Sequence, residues 1–433
     1  MNIAFHTLGC KLNFSETSFI ANNMQDAGFN QVAFNEFSDI YVINTCSVTE
    51  NANKECQYLI RKVLSINPNA KTVIMGCYAQ LKPKEIAKIK GVDLILGNND
   101  KFELKQFLNT VQKNNKPQII KRNIEELNSF KSSFSSGTRT RSFLKVQDGC
   151  NYKCTFCTIP LARGKSRSDT VENVIQKIKK LKKDGIKEIV LTGINLGDFK
   201  TENNERFLDL LIQIDKIKNI RVRISSIEPN LINDKIIDLV SKSKTILPHF
   251  HIPLQSGSDV ILKAMKRRYL TKHYKQVVEE INHKIPNACI GVDVIVGFPG
   301  ETDKYFNETV LFLKSINISY LHVFSYSERE NTEAINMKQQ VPVEIKKYRS
   351  KVLRNLSDKK RQAFYQNNIG LTKEVLFENQ TKNGYIYGFS ENYIKIKSTY
   401  KPNLENTIKN VIINKIEHNN MTYAKGLLIN QLQ

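Results

Sequence analysis

Residues 148–158 read DGCNYKCTFCT, which places Cys150, Cys154 and Cys157 at C-x3-C-x2-C spacing. Three thiolates on one tight loop can each hold one iron of a cubane cluster and leave the fourth iron open. An open iron can chelate a ligand that carries both an amine and a carboxylate. A structural zinc site is the competing reading. It wants four closed ligands, and no fourth Cys or His lies near this loop in sequence.

Working outward, the loop follows the strand candidate RSFLKVQ, the first of six. The others are KEIVLTGIN, IRVRISSIEP, HFHIPLQ, IGVDVIVGF and YLHVFSYS, separated by helical stretches such as VENVIQKIKKLKKDG. Six consecutive β/α units suggest a partial (β/α)6 barrel, with its chemistry at the C-terminal strand ends. Upstream, NIAFHTLG, DIYVINTC, KTVIMGCY and VDLILG read as buried strands alternating with amphipathic segments such as residues 50–66. That alternation predicts a parallel sheet covered by helices. Cys10, Cys46 and Cys77 each follow one of these strands, on the sheet edge where open α/β folds bind ligands.

Downstream, residues 345–366 form a basic helix with Ile345, Tyr348, Val352 and Leu356 on one stripe. Beyond it KEVLFE, GYIYGFS, NYIKIKS, NVIINKIEH and AKGLLI read as a small antiparallel β-barrel. Tyr385, Tyr387, Phe389 and Tyr393 beside lysines suit an oligonucleotide-binding surface. Strand alternation equally allows half of them to fill the core. The expected α/β organisation is an amino-terminal domain over 1–112, a linker over 113–137, a barrel over 138–366 and a terminal barrel over 367–433.

Composition narrows the function class. The 433 residues are 40% hydrophobic, which excludes wholesale disorder. No apolar run approaches the roughly 18 residues of a membrane span. The start lacks a basic segment followed by an apolar core, so a soluble, cytoplasmic protein is expected. Eight cysteines in such a chain are no disulfide framework. The net charge is +23, and residues 121–365 hold 44 basic against 27 acidic residues. That field favours a polyanion such as nucleic acid, although a Lys- and Asn-rich composition also serves solubility alone.

With Phe156 just before the last cysteine, the 148–158 loop resembles the signature of the radical S-adenosylmethionine (SAM) superfamily. The words TLGCKLNFSET, VINTCSVTENA and IMGCYAQ resemble the amino-terminal domain of the methylthiotransferases, and the terminal barrel is similar to the RNA-binding TRAM domain. LTGINLGDF, RISSIEP, HIPLQSGSD and DVIVGFPGET are further words of that family.

The resemblance implies two 4Fe–4S clusters, one on Cys150, Cys154 and Cys157 that binds SAM, the other on Cys10, Cys46 and Cys77. It implies that Phe156, Gly193, Ser225, Glu228 and Gln255 lie around SAM or the substrate. In the family scheme one SAM methylates sulfur on the amino-terminal cluster. A second yields the 5′-deoxyadenosyl radical that removes the C2 hydrogen of a tRNA adenosine, and the methylthio group moves to that carbon. Implied partners are the tRNA anticodon arm, an electron donor such as flavodoxin or ferredoxin, and a sulfur donor. No catalytic residue beyond the cluster ligands is assigned.

TLGCKLN and NTCSVTENA look most like the branch acting on N6-threonylcarbamoyladenosine, 3′ to the anticodon. Isopentenyladenosine or a ribosomal protein are the alternative substrates. A non-catalytic Fe–S protein that binds RNA and senses oxidation is the alternative of a different class. One departure stands out: the family tends to have Pro-Gly where this chain has Glu330–Asn331, so the turn there is expected to differ. Cys56 and Cys289 are expected in the core, and of His249 and His251, which alternate on a strand end, one can face the site.

Overall fold

The computed structural model describes residues 1–428 apart from 48, 49, 114, 115, 128, 136, 138, 139 and 420. The last five residues of the terminal barrel and four of the expected linker therefore lie outside the described residues.

The amino-terminal domain is a six-stranded parallel sheet. Its order is Asn30–Val32, Asn2–Thr7, Ile40–Thr45, Lys71–Gly76, Leu94–Leu96 and Gln118–Ile120. Successive residues of one strand serve opposite faces. Val42 and Val73 pack with Ile20 and Met24 of the helix Lys11–Asp26. Ile43 and Ile74 pack with Leu59 and Ile60 of the helix Glu50–Ile66. Covering both faces is why these strands read as continuous apolar runs. The stretch expected as a linker is not all linker. Gln118–Ile120 extends the sheet beside Leu94–Leu96, and Ser133–Phe134 pairs with the first barrel strand. Both are too short to show a periodicity in sequence.

The six barrel strands form where expected, at Arg141–Lys145, Glu188–Thr192, Arg221–Ile224, His249–His251, Cys289–Val296 and Tyr320–Ser325. All are parallel, and bridges Val222↔Ile246 and Ser226↔His251 join the third to the fourth. Local sequence fixes the intervening helices. Thr170 caps Val171–Lys183 by accepting from the Asn173 N–H, and three lysines in the last turn complement the helix dipole. The stripe Val174, Ile178 and Leu181 is buried against the strands. The ring is open beyond its first strand, where the helix Lys11–Asp26 packs; Phe14 meets Phe143 edge-on at 5.7 Å.

The helix Val343–Gln366 is rotated from its expected face. Its buried line is Lys346, Arg349, Leu353 and Ser357, whereas Ile345 and Tyr348 are exposed. Arg349 reaches Glu301 at 3.2 Å and Asp303 at 2.7 Å, and the Lys346 stem packs on Gly297. Ion pairs to the loop after the fifth strand override the apolar stripe. Val352 and Leu356 remain partly buried against the core.

The terminal domain is a closed five-stranded barrel of Thr372–Lys382, Tyr385–Ser390, Lys395–Thr399, Ile408–Asn419 and Met421–Leu428. Its pairs are antiparallel except one: the third strand runs parallel to the fifth, the closure expected of an OB-like barrel. It docks on the N-terminal strand ends of the central barrel. Arg221 donates to the carbonyls of Glu374 and Phe389, Arg223 donates to those of Ser390 and Glu391, and both pair with Glu188. The four aromatics divide in an unexpected way. None fills this barrel's core, which Ile386 and Ile396 occupy. Phe389 and Tyr393 stack at 4.8 Å beneath Arg141 and Arg223 at the domain junction. Tyr385 and Tyr387 lie outside the barrel core with Tyr423, capped by Lys395 and Lys397.

Candidate active site between two cysteine triplets

Cys150, Cys154 and Cys157 occupy the loop between the first barrel strand and the helix Ile159–Arg163. Gly149, at φ +70°, makes the turn possible, because a Cβ there would lie 2.0 Å from the Lys165 carbonyl. The Cys157 N–H bonds the Cys154 carbonyl at 3.1 Å and closes a tight turn. Backbone amides point at two of the sulfurs, Tyr152 N–H at Cys150 Sγ and Ile159 N–H at Cys157 Sγ. Burial, with the neighbouring cysteines adding to it, pushes the Cys150 thiol up to about 11 and the Cys157 thiol up to about 12. Burial also raises Cys154, where the Arg267 guanidinium opposes it by donating to Sγ at 3.0 Å. Arg267 in turn pairs with Glu228.

Three half-buried thiols that repel one another as thiolates suit a cationic iron centre. The strand ends around them carry unpaired polarity. Thr192 Oγ1, Asn195 Nδ2, Asp198 Oδ2 and Asn230 Oδ1 are buried without a hydrogen-bond partner among the described residues. Donors and acceptors of this kind suit the amine, carboxylate and hydroxyls of SAM, so the residues present fit that group.

The other expected residues gather here in different roles. Phe156 packs edge-on against Phe298 at 6.4 Å. It joins Cys157, Gln255 and Asp293 in the wall of a cavity of about 220 Å³. Gln255 holds φ +69° and bridges to Val294. At Gly193 a Cβ would meet Gln147 Oε1 at 2.9 Å, and that oxygen accepts from the Ile194 and Asn195 amides. Ser225 lies at the end of the third strand. His251 faces inward and bonds Asp293 at 2.9 Å, whereas His249 is buried in the wall against Tyr320.

The amino-terminal triplet converges although its members are distant in sequence. A Cβ at Gly9, φ +96°, would lie 2.5 Å from Cys46 Cβ, so the loops bearing Cys10 and Cys46 touch. Asn13 Nδ2 ties them by donating to the Leu8 and Thr45 carbonyls at 3.0 Å. Asn98 Nδ2 reaches Cys77 Sγ at 3.5 Å and the Ala162 carbonyl at 2.7 Å, linking this triplet to the helix after Cys157. Cys46 and Cys77 are buried, while Cys10 opens on a cleft. The surrounding protein raises the Cys10 thiol and Arg163 draws it down. Three convergent thiols, two on glycine-opened loops, fit a second cluster of the same kind.

Between the triplets lies a buried charge cluster that local sequence reading missed. Glu16, in the helix after Cys10, accepts from Lys101 at 2.6 Å, Lys145 at 2.7 Å and Arg163 at 3.1 Å. Asp148 accepts from Lys145 at 2.6 Å and Arg163 at 3.0 Å. Arg163 also donates to Asn13 Oδ1 at 2.5 Å. These cations hold the Glu16 carboxyl well below its usual range despite complete burial. The one available signal is a Lys inside the apolar strand RSFLK, and it names no partner.

The departure at Glu330–Asn331 is resolved simply. The Thr332 N–H bonds the Arg329 carbonyl, with Asn331 at φ +62° in the third position of the turn. That is the geometry Pro-Gly favours, and Asn tolerates the left-handed region. Glu330, freed from the proline role, pairs with Lys82 of the amino-terminal domain at 2.8 Å.

A partial barrel with a three-cysteine loop at its strand ends defines the radical SAM class. The model of the radical SAM superfamily matches residues 144–313, and that of an uncharacterized family, UPF0004, matches residues 2–97. The threonylcarbamoyladenosine tRNA methylthiotransferase of Aquifex aeolicus is 41% identical over 92% of this chain and 96% of its own length. That of Bacillus subtilis is 38% identical over 91% and 89%. A tRNA-2-methylthio-N(6)-dimethylallyladenosine synthase of Clostridium botulinum is 33% identical over 87% and 86%. The radical SAM methyltransferase TsrM of Kitasatospora setae shares the fold at TM-score 0.54 and 13% identity, over 77% of this chain and 74% of its own. The chain belongs to the radical SAM methylthiotransferase family. It is accordingly a transferase enzyme with 4Fe–4S and SAM as cofactors.

Proposed function

We propose that this enzyme adds a methylthio group to C2 of N6-threonylcarbamoyladenosine at position A37 of tRNA, using two SAM and two 4Fe–4S clusters. The observation that carries the two-cluster reading is the convergence of both cysteine triplets on one charge cluster, with Arg163 bonded to Asn13. The substrate is that named for the relatives at 36–41% identity.

Cys150, Cys154 and Cys157 would hold the SAM-binding cluster, and Cys10, Cys46 and Cys77 the second. Bound SAM and iron supply a one-electron route to removing hydrogen from an unactivated aromatic carbon, which no polar side chain provides at neutral pH. The protein's part is placement. Arg267 donates an N–H to Cys154 Sγ and is oriented by Glu228. Phe156, Ile295, Phe324 and Tyr326 give the cavity beside Cys157 an apolar wall. The C2 hydrogen would pass to the 5′-deoxyadenosyl group cleaved from one SAM, leaving as 5′-deoxyadenosine, and a carbon–sulfur bond would replace it; the sulfur would come from an external donor and its methyl from a second SAM. The electron comes from a flavodoxin- or ferredoxin-like protein. Among the described residues no helix is long and apolar enough to cross a membrane, and tRNA in the cytoplasm is the proposed partner.

The test is anaerobic turnover of an anticodon stem–loop carrying threonylcarbamoyladenosine, with SAM and dithionite, read by nucleoside mass spectrometry. Replacing Cys10, Cys46 and Cys77 by Ala should remove about half the iron and all methylthio product, yet leave 5′-deoxyadenosine formation. Replacing Cys150, Cys154 and Cys157 should abolish both. Either triple variant keeping all its iron overturns the assignment. An Fe–S sensor without catalysis would bind RNA and cleave no SAM.

A further inference from the structure

Three adjacent strands of the central barrel bring two imidazoles and one carboxylate to one point. His251 ends the fourth strand, and its register partner on the fifth is Gly291. Asp293 stands two residues further along the fifth strand, in register with His322 on the sixth. Residues i and i+2 of a strand share a face. Val292, Val294, Leu321 and Val323 pack into the core beneath the helices, so Asp293 and His322 project to the other side, the barrel interior. His251 Nε2 lies 2.9 Å and His322 Nδ1 3.3 Å from the same oxygen, Asp293 Oδ1. The three donor atoms all fall within 4.8 Å of one another.

Backbone bonding fixes this convergence. The Asp293 carbonyl accepts from the Leu254 and Gln255 amides at 3.1 and 2.8 Å, and the Ile295 N–H bonds the Gln255 carbonyl at 2.9 Å. The chain leaving the fourth strand is thereby pinned to the fifth beside Asp293. Among the described residues the Asp293 carboxylate pairs with these two imidazoles and with no lysine or arginine. In a chain of net charge +23 this carboxylate is thus left without a permanent cation. A carboxylate between two imidazoles attracts a cation and repels a second anion. Asp293 also lines the cavity of about 220 Å³ beside Cys157, so an ion held here has space on that side.

We propose that His251, Asp293 and His322 bind one divalent first-row transition-metal ion, at a site separate from both cysteine triplets. Donor atoms held about 2.0–2.2 Å from such an ion lie about 2.9–3.5 Å from one another, which covers both measured separations from Asp293 Oδ1. The exposed His322 ring is free to turn and close the remaining gap between the two imidazoles. Two imidazoles and one carboxylate on one side of the ion leave its opposite positions open. Imidazole ligands favour iron(II), cobalt(II), nickel(II) or zinc(II) over magnesium. With its open side toward the cavity, the ion supplies a Lewis acid for an oxygen or nitrogen donor bound there. The inference does not depend on which tRNA base is modified.

Cobalt(II) is the probe, because resting 4Fe–4S clusters are diamagnetic whereas high-spin cobalt has an EPR signal of its own. The cluster-loaded full-length protein is titrated with cobalt(II) anaerobically at pH 8, since metal binding takes the neutral imidazole. It is then desalted and assayed for cobalt and iron. The wild type should retain one cobalt per chain with its iron unchanged, excess magnesium should not displace it, and pulsed EPR should show the nitrogen couplings of two imidazoles. Asp293→Asn and His322→Gln should each weaken binding by more than the about 10- to 100-fold that losing an outer partner of a metal ligand costs. Cobalt forced onto His322→Gln at high concentration should show one imidazole. A wild type that retains no cobalt overturns the proposal whether or not the variants fold. So does cobalt that enters only as iron leaves, which would place it at the cysteines, and so does equal retention by the wild type and both variants.

Discussion

Arg267 is the residue on which the electrostatics of the Cys150–Cys154–Cys157 loop turn, since its guanidinium is shared between Cys154 Sγ and Glu228. Arg267→Gln should keep the three ligands and leave Glu228 uncompensated beside them. The expected outcome is near-normal iron with a reduction potential shifted negative, read by redox titration of the EPR signal. The two cysteines outside the triplets should behave oppositely to reactive thiols. Burial pushes Cys56 and Cys289 each up to about 12. At pH 8 only about one thiol in ten thousand would be ionised at such a pKa, so both should resist iodoacetamide until the chain is unfolded. Labelling followed by peptide mass spectrometry checks this, and alkylation of native protein would refute it. At this scale the two cysteine triplets were legible as places, one through its spacing on a single loop and the other through three strand ends. Arg267, Glu16 and Arg163 were not, because each pairs across a long separation: Arg267 with Glu228 39 residues away, Glu16 with Lys101 85 away, and Arg163 with Glu16 147 away.

At the scale of elements, the strands were legible and one helix face was not. The barrel strands announce themselves as short β-branched and aromatic stretches between helical patterns, whereas the face of Val343–Gln366 was set by charge pairs to Glu301 and Asp303. The same kind of force joins the two barrels. Glu188 is buried, and its pKa is held down to about 2 against its burial by Arg223, Arg221 and Arg141. Its folded pKa lies below its ordinary 4.5, so the stability it confers is complete above pH 4.5 and is lost as pH falls toward 2. Glu188→Gln should destabilise the protein at pH 7 by about 3 kcal/mol, the cost of unpairing buried charges. It should also flatten the loss of stability between pH 4.5 and 3. Denaturant titrations at several pH values measure both effects, and an unchanged acid slope would show that Glu188 does not set it.

For the whole molecule, the division of the terminal aromatics decides how RNA is expected to be held. Phe389 and Tyr393 belong to the domain junction, which leaves Tyr385, Tyr387 and Tyr423 with Lys395 and Lys397 as the outward platform. Tyr387→Ala should weaken stem–loop binding at every salt concentration by about 1–3 kcal/mol if one base stacks there. Lys395→Gln should instead reduce the slope of log affinity against log salt by about 0.7–0.9. Fluorescence anisotropy across a salt series separates the two, and no change in either would move recognition to the central barrel's own charge. The three domains were legible in the sequence as changes of hydrophobic period. Their mutual docking was not, since it runs through backbone carbonyls and through side chains that look solvent-bound in a linear reading. The Glu16 cluster adds a consequence for biogenesis. A ribosome releases Cys10, Cys46, Cys77 and Lys101 well before Lys145 and Arg163, so during synthesis the first triplet waits with Glu16 only partly neutralised and Asn13 lacking its guanidinium partner. The polypeptide that completes the first triplet's support is the same one that carries the second triplet. Maturation of the two proposed cluster sites would thereby be tied to a single late event, the closing of the nascent amino-terminal domain onto the barrel behind it.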